Sequence, residues 1–225
     1  MSKNKLKTDN VWEKIYQEGH TQKYPWDYVV SFVYNNKPKN FKNNDVKILE
    51  VGCGTGSNLW FAAREGFDTT GIDFSKKAIN EAKKIFKKDS LKCDFKVGNF
   101  KKLPFKNNYF DIIIDRAALT CVDHLSAVQA ISEIERVSKK KGRFLFTPYS
   151  TSNYSYERNK SDKKGFMKKI YRGGMINVGS ICFYNKKRIE DILSNWKLIS
   201  LTHVEKKELI SKHSHAEWHV ISEKK

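Results

Sequence analysis

The sequence predicts a doubly wound α/β fold, a mostly parallel seven-stranded sheet with helices on both faces. Three observations carry that expectation. Short apolar runs alternate with segments of helical periodicity from residue 46 to residue 147, a glycine-rich turn closes the first run, and an acidic residue ends the second. Such alternation requires crossover connections, and crossovers bury a parallel sheet on both faces.

Residues 46–51 form the first strand and lead into Gly52-Cys53-Gly54-Thr55-Gly56. The amphipathic stretch 57–65 follows as a helix, with Gly66 where a C-cap is expected. Residues 69–72 make the second strand. Ser75 then caps a helix whose Ala78, Ile79, Ala82, Ile85 and Phe86 fall at helical spacing. Residues 94–97 and 109–114 read as strands three and four, 125–137 as a helix with Leu125, Val128, Ile131, Ile134 and Val137 on one side, and 143–147 as strand five. Residues 148–183 are rich in Ser, Asn, Gly, Lys and Tyr and show little periodicity, which marks an insertion. A helix over 186–195 and strands over 198–204 and 217–222 complete the chain.

With 225 residues, 39% of them hydrophobic and 13% aromatic, the chain has enough apolar material for one substantial core. Its formal charge of +18 raises nucleic acid and other anions as partners. The lysines are spread along the whole chain beside many asparagines, a pattern that fits solvated helix ends and loops, with a functional basic face as the alternative. No apolar run approaches the roughly 20 residues that span a bilayer, and residues 1–10 lack the apolar stretch of a secretory signal. A cytoplasmic protein without a membrane partner is expected, either monomer or homodimer. Cys53, Cys93, Cys121 and Cys182 lie too far apart for zinc spacing or a disulfide scaffold and read as reduced thiols.

Ligands of open α/β sheets sit beyond the carboxyl ends of the strands, and the first such end here carries Glu50-Val51-Gly52-Cys53-Gly54-Thr55-Gly56. Its glycines let backbone approach a ligand closely, and the helix that follows offers unpaired N–H groups. The spacing is G-x-G-x-G, whereas the dinucleotide fingerprint is G-x-G-x-x-G, which argues against a nicotinamide oxidoreductase. Asp73 closes the second strand, where a carboxylate can accept both hydroxyls of a ribose. Gly98-Asn99-Phe100 follows the third strand.

On these motifs the chain resembles the class I S-adenosylmethionine-dependent methyltransferases, in particular the small-molecule branch that includes ubiquinone-biosynthesis methyltransferases. The likeness covers residues 46–147. It implies S-adenosylmethionine as cofactor and S-adenosylhomocysteine as product, with the stretch containing Glu50, Gly52, Cys53, Gly54 and Gly56 carrying the methionine end. By the same resemblance Asp73 holds the ribose, Phe74 packs near the adenine, and Asn99 and Phe100 meet the adenine edge. The family often has Asp where Asn99 stands, and an Asn oxygen can still accept from the adenine amino group. Asp115, after the fourth strand, is the candidate for the cofactor and reaction cleft. Residues 11–16, ending in Tyr16, and Tyr24-Pro25-Trp26-Asp27 look like the aromatic segment that some thiopurine and tellurite methyltransferases fold over the cofactor; aromatics of a helix packed on the domain are the alternative. The Trp-rich start, residues 58–66 and residues 115–120 also resemble bacterial methyltransferases encoded among surface-polysaccharide genes. A single domain over 1–225 is expected, with a lid segment (1–45), a cofactor-binding core (46–147), an acceptor-side insertion (148–183) and C-terminal strands (184–225).

Methyl transfer from a sulfonium is an in-line displacement, so alignment matters most and a base is needed only for an acceptor that must lose a proton. Arg116, Tyr149, Tyr171 and Arg172 are the candidate acceptor-binding residues, because cations among aromatics suit a small anionic acceptor such as a phosphorylated or nucleotide-linked sugar. The bland alternative is a mobile, solvated cap. His124, Tyr149 and His215 are the candidate bases. His213, His215, Glu217 and His219 alternate as residues on one strand face would, yet the Ser and Ala between them place the strand start near Glu217, so a loop with incidental histidines is expected rather than a metal site. An RNA or protein methyltransferase using the basic surface is the second functional reading. The fourth strand ends in Asp115-Arg116-Ala117-Ala118, without the Pro-Pro-aromatic sequence of amino-methylating DNA enzymes.

Overall fold

The computed structural model describes residues 7–210 and 213–225, with side chains from residue 11. The opening stretch read for a secretory signal lies largely outside the described residues. Two helices come first, α1 (Lys7–Gln17) and α2 (Asp27–Asn36). The wound core follows as β1 (Lys47–Val51), α3 (Ser57–Arg64), β2 (Asp68–Asp73), α4 (Lys76–Lys88), β3 (Asp94–Val97), β4 (Phe110–Asp115), α5 (His124–Val137) and β5 (Ser138–Phe146). A short helix α6 (Tyr154–Glu157), the two-residue strands β6 (Phe166–Met167) and β7 (Ile181–Cys182), helix α7 (Lys186–Ile192) and the long strands β8 (Trp196–Lys207) and β9 (Ser214–Lys224) complete it. The main sheet has seven strands in the order β3-β2-β1-β4-β5-β9-β8, parallel except that β9 runs antiparallel to both β5 and β8. This is the predicted architecture.

Strand alternation separates the core into two faces. Ile48 of β1, Ile112 and Ile114 of β4 and Leu145 of β5 pack with Val29 and Phe32 of α2, Leu59 and Ala62 of α3, and Ile79, Ala82 and Phe86 of α4. Leu49 and Val51, Ile113, and Phe144 and Phe146 from the same strands point the other way, onto Ala130, Ile131, Ile134 and Val137 of α5 and Ile189 of α7. Ser75 and Asp123 cap α4 and α5 by accepting from Ala78 N and Ser126 N, which satisfies N–H groups that the helices leave unpaired. All four cysteines are free thiols. Among the described residues, no helix is long and apolar enough to cross a membrane.

Four local expectations are corrected. Leu125 and Val128 do not share the buried face of α5: they are 71% and 42% exposed, whereas Ala127, Ala130, Ile131, Ile134 and Val137 are buried. Ala127 and Ala130 take the buried positions, whereas apolar periodicity alone had favoured the larger Leu125 and Val128. The predicted helix over 186–195 ends at Ile192. Strand β5 starts five residues early, taking Ser138 and the lysines into a bulged opening where Lys141 has φ +61° and a Cβ on Gly142 would lie 2.4 Å from Ser138 Oγ. The insertion is not simply solvated, because Met167, Ile170, Met175, Ile181 and Phe183 close a small core of their own.

The corrected face of α5 is testable. Ile134→Ala should lower unfolding stability by about 2–4 kcal/mol, as cavity-forming changes at buried aliphatics do. Leu125→Ala should change it by no more than about 0.5 kcal/mol. Urea midpoints check both, and equal losses would return Leu125 to the core.

Candidate active site

β1 lies between β2 and β4, and the chain winds from it in opposite directions. The loops leaving β1 and β4 therefore diverge at a switch point, which opens a cleft at their carboxyl ends. The turn after β1 is held to β2 by Gly52 N and Cys53 N, which donate to Ile72 O at 2.8 and 3.1 Å. Two of its glycines are sterically required. Gly52 has φ +65° and a Cβ there would lie 2.2 Å from Ala118 Cβ; Gly54 has φ +53° and a Cβ would lie 2.5 Å from Tyr16 Oη.

Two buried carboxylates flank this turn. Glu50 Oε1 accepts from Asn58 Nδ2 at 2.7 Å, whereas Oε2 is buried with no partner. Burial raises its pKa to about 8, against the lowering effect of the Asn58 bond. Asp73 accepts from Gly54 N at 2.9 Å and Ser75 N at 2.8 Å, and burial still raises it to about 6. Tyr16 is pushed up, by burial first and then by the Asp73 charge.

A cavity of about 330 Å³ spans this cleft, within the range of small-molecule sites. Glu50, Gly52, Cys53 and Gly54 line it from β1 and its turn, Asp73 and Phe74 from β2, and Asn99 and Phe100 from the loop after β3. Trp12, Tyr16, His20, Gln22 and Trp26 close it from the N-terminal segment, and Arg116, Tyr149 and His215 complete the far wall. The N-terminal segment is tied to the turn through Asn58, whose Oδ1 accepts from Trp26 N at 3.0 Å, and through Thr21 and Thr55, whose hydroxyls lie 3.1 Å apart. Asn99 Oδ1 already accepts from Lys101 N at 2.9 Å, so one of its lone pairs is used.

Five predicted site residues do not line the cavity. Asp115 is fully buried and turned under its own loop, where Oδ1 accepts from Ala118 N and Leu119 N at 3.0 and 2.9 Å; burial raises it to about 7. It shapes the segment carrying Arg116 and does not face the cleft. Gly56 is the N-cap of α3, packed on Phe95 and Phe86. His124 opens α5 outside the cavity, its pKa lowered by burial and then by Lys164 and Arg188. Tyr171 and Arg172 are exposed on the insertion, because its small core turns inward and leaves its cations to solvent. The sequence reading missed His20, Gln22, Asn58 and Lys101. Only Asn58 carried a signal, a polar residue on the otherwise apolar face of a short helix.

The histidines near the C-terminus are also corrected. β9 begins at Ser214, so His215, Glu217 and His219 share one face of a strand and are not in a loop. Glu217 Oε2 lies 3.2 Å from His215 Nε2 and 3.1 Å from Arg116 Nη2, and Oε1 lies 2.8 Å from His219 Nε2. Burial pushes the Glu217 carboxyl up, but the bonds from His215 and His219 and the charge of Arg116 overcome it and hold the group well below the usual carboxylate range. Arg116 stacks on Trp26 with its guanidinium carbon 4.0 Å from the ring centre. Among the described residues, no group of three or more His, Cys, Asp or Glu side chains is placed to hold a metal ion.

Residues 42–209 match the family model described as a methyltransferase domain. A ubiquinone biosynthesis O-methyltransferase of Pelagibacter ubique is 33% identical over 129 residues, 57% of this chain and 51% of that protein. The chain spans about half the length of the curated relatives it matches. A crystal structure of a SAM-dependent methyltransferase from Methanosarcina mazei superposes with a TM-score of 0.71 at 21% identity, covering 86% of this chain and 96% of that one. A 1,6-didemethyltoxoflavin-N1-methyltransferase of Burkholderia thailandensis, solved with its substrate and S-adenosylhomocysteine, gives a TM-score of 0.71 at 12% identity over 96% and 87% of the two chains. These two structural likenesses are likenesses of fold.

The buried carboxylates give stability a defined pH dependence. A carboxyl whose folded pKa is raised stabilises the fold while protonated, and that contribution is lost as pH rises through the folded value. For Glu50 the loss runs from about 4.5 to about 8, and Asp115 and Asp73 add to it at lower pH. Glu50→Gln should flatten the upper part of the decline and make the protein more stable than wild type at pH 8, by on the order of 2–4 kcal/mol. Urea unfolding at pH 5.5 and pH 8 checks this; an unchanged difference between the two would mean that Glu50 ionises without penalty.

Proposed function

The chain belongs to the methyltransferase-domain family, and from that premise we propose that it binds S-adenosylmethionine in the cleft at the ends of β1 and β2 and transfers its methyl group to a small molecule. The observation that carries the proposal is the pair of buried carboxylates on one cavity, with the glycine turn between them. Glu50 Oε2 is an acceptor without a donor, in a place where a buried carboxylate is costly unless a cation meets it. The cofactor's ammonium group supplies the donor that Glu50 Oε2 lacks, and its ribose hydroxyls add to the two backbone N–H groups already on Asp73. When bound it supplies an electrophilic methyl group on sulfur. The residues of this chain hold and align it: Glu50 and the turn take the methionine end, Asp73 the ribose, and Phe74, Asn99 and Phe100 the adenine.

In this reading the N-terminal helices are the lid, residues 46–147 the cofactor core, and the insertion supplies Tyr149 to the acceptor end. The acceptor end is largely aromatic, with Trp12, Trp26 and Tyr149 on its walls. A phosphorylated or nucleotide-linked sugar is poorly supported, because Tyr171 and Arg172 lie elsewhere and Arg116 is paired with Glu217. A small, flat acceptor suits these walls better. The aromatic side chains of Trp12, Tyr16 and Trp26 that line the cavity favour a small acceptor over RNA or protein.

Isothermal titration calorimetry with S-adenosylhomocysteine tests the proposal. Wild type should bind at about micromolar or tighter, and Asp73→Ala and Gly54→Val should both lose binding, the second because its side chain would meet Tyr16. A ligand ammonium at Glu50 favours the ionised carboxylate, so affinity should rise from pH 6 towards pH 8, by up to about tenfold per unit, with proton release seen as a buffer-dependent heat. No binding by folded wild type would overturn the proposal.

A further inference from the structure

Glu217 is buried beside the cavity and lies within 3.2 Å of two histidines and an arginine. We propose that His215 is the general base of the reaction, positioned by Glu217, and that the acceptor is therefore a ring bearing a hydroxyl group. This rests on the methyltransferase reading and names the substrate class and the proton acceptor within it.

The argument starts from protonation. Glu217 remains ionised across the physiological range because His215, His219 and Arg116 all surround it, so it is an acceptor only. His215 Nε2 at 3.2 Å must then carry the proton in that bond, which leaves the lone pair of the neutral ring on Nδ1. His219 is fixed in the same tautomer at 2.8 Å and stacks on Tyr28 at 3.8 Å, so it serves the carboxylate and is not among the cavity-lining residues. His215 does line the cavity, packed edge-on against Tyr149 at 5.6 Å. The charged and titratable groups around it are Glu217 on its own strand, Lys206 opposite on β8, Tyr149 after β5 and Arg116 after β4. A carboxylate behind an imidazole orients the ring and stabilises the imidazolium, which is the arrangement of a base and its positioning group.

An amine acceptor, already nucleophilic, has no use for such a base, whereas a hydroxyl does. The hydroxyl oxygen forms the new O–C bond as the methyl–sulfur bond breaks and its electron pair stays on sulfur. The hydroxyl proton passes to His215 Nδ1. The positive charge of the sulfonium thus ends on an imidazolium beside Glu217, and the half-exposed ring then returns the proton to solvent. The aromatic walls formed by Trp26 and Tyr149 favour a planar ring as carrier of that hydroxyl.

4-Nitrophenol tests this without turnover, because its phenolate has its own absorbance. With saturating S-adenosylhomocysteine and excess protein, the bound probe should show an apparent pKa lowered by about one unit, or about tenfold more phenolate at a fixed pH below its own pKa. His215→Asn should abolish the shift and keep S-adenosylhomocysteine binding, and Glu217→Gln should reduce it. Long-range ¹H–¹⁵N spectra should place the neutral His215 proton on Nε2 in wild type and redistribute it in Glu217→Gln, an effect that a purely structural tie would not produce. A probe that does not bind at millimolar concentration, an equal shift in His215→Asn, or a proton on Nδ1 would each overturn the proposal. Failure of S-adenosylhomocysteine itself to bind would instead overturn the reading on which it rests.

Discussion

Parallel pairing of β1 with a neighbour on each side is the constraint from which the rest of the molecule follows. A strand so placed must be left by a crossover, and crossovers that wind outward to β2 on one side and β4 on the other cannot both cover its carboxyl end. The space they leave is the cavity. Its floor can form only because the first turn is nearly all backbone: Gly52 meets the loop after β4 and Gly54 meets Tyr16, each at a separation where a Cβ would clash. The same closeness that excludes side chains brings three segments distant in sequence to one spot.

Electrostatics divides that spot into two unlike halves. At the ends of β1 and β2, Glu50 and Asp73 are desolvated without a cation, and burial raises both. At the far wall, Glu217 is also buried but receives donors on both oxygens and lies well below its ordinary range. An under-compensated buried carboxylate destabilises a fold and is suited to a cationic ligand, whereas a compensated one fixes the groups around it. Burial of the Glu50 carboxyl therefore costs stability, whereas Glu217 ties His215, His219 and Arg116 together.

The N-terminal segment is joined to this arrangement through polar contacts as well as aromatic ones. Asn58 bridges it, donating to Glu50 and accepting from Trp26 N, so the backbone of the N-terminal segment and the buried carboxylate share one side chain. Trp26 in turn lies under Arg116, whose other contact is Glu217. A chain of short contacts thus runs from the carboxylate end of the cavity to the histidine end, through residues of α3, the start of α2, the loop after β4 and β9.

The sequence alone determined the order of strands and helices, the glycine turn and Asp73, because each is a local matter: periodicity reports which face is buried, and positive φ or a strand-end carboxylate occupies a fixed place in the chain. Burial on α5 was less legible, since the buried Ala127 and Ala130 and the exposed Leu125 and Val128 are all apolar and periodicity does not tell them apart. Asp115 and Gly56 follow the same strand ends as their neighbours, yet a loop that folds back on Asp115 and a helix that starts at Gly56 turn both away from the cavity. Tyr171 and Arg172 had the right chemistry in a segment whose small core faces inward. His215 and Glu217 are about a hundred residues from Arg116, and only the antiparallel return of β9 beside β5, with Tyr149 bridged to Glu217, puts them at one wall. Local chemistry is written along the chain; which of these groups meet is decided by strand order and register, and those depend on the packing of the whole sheet.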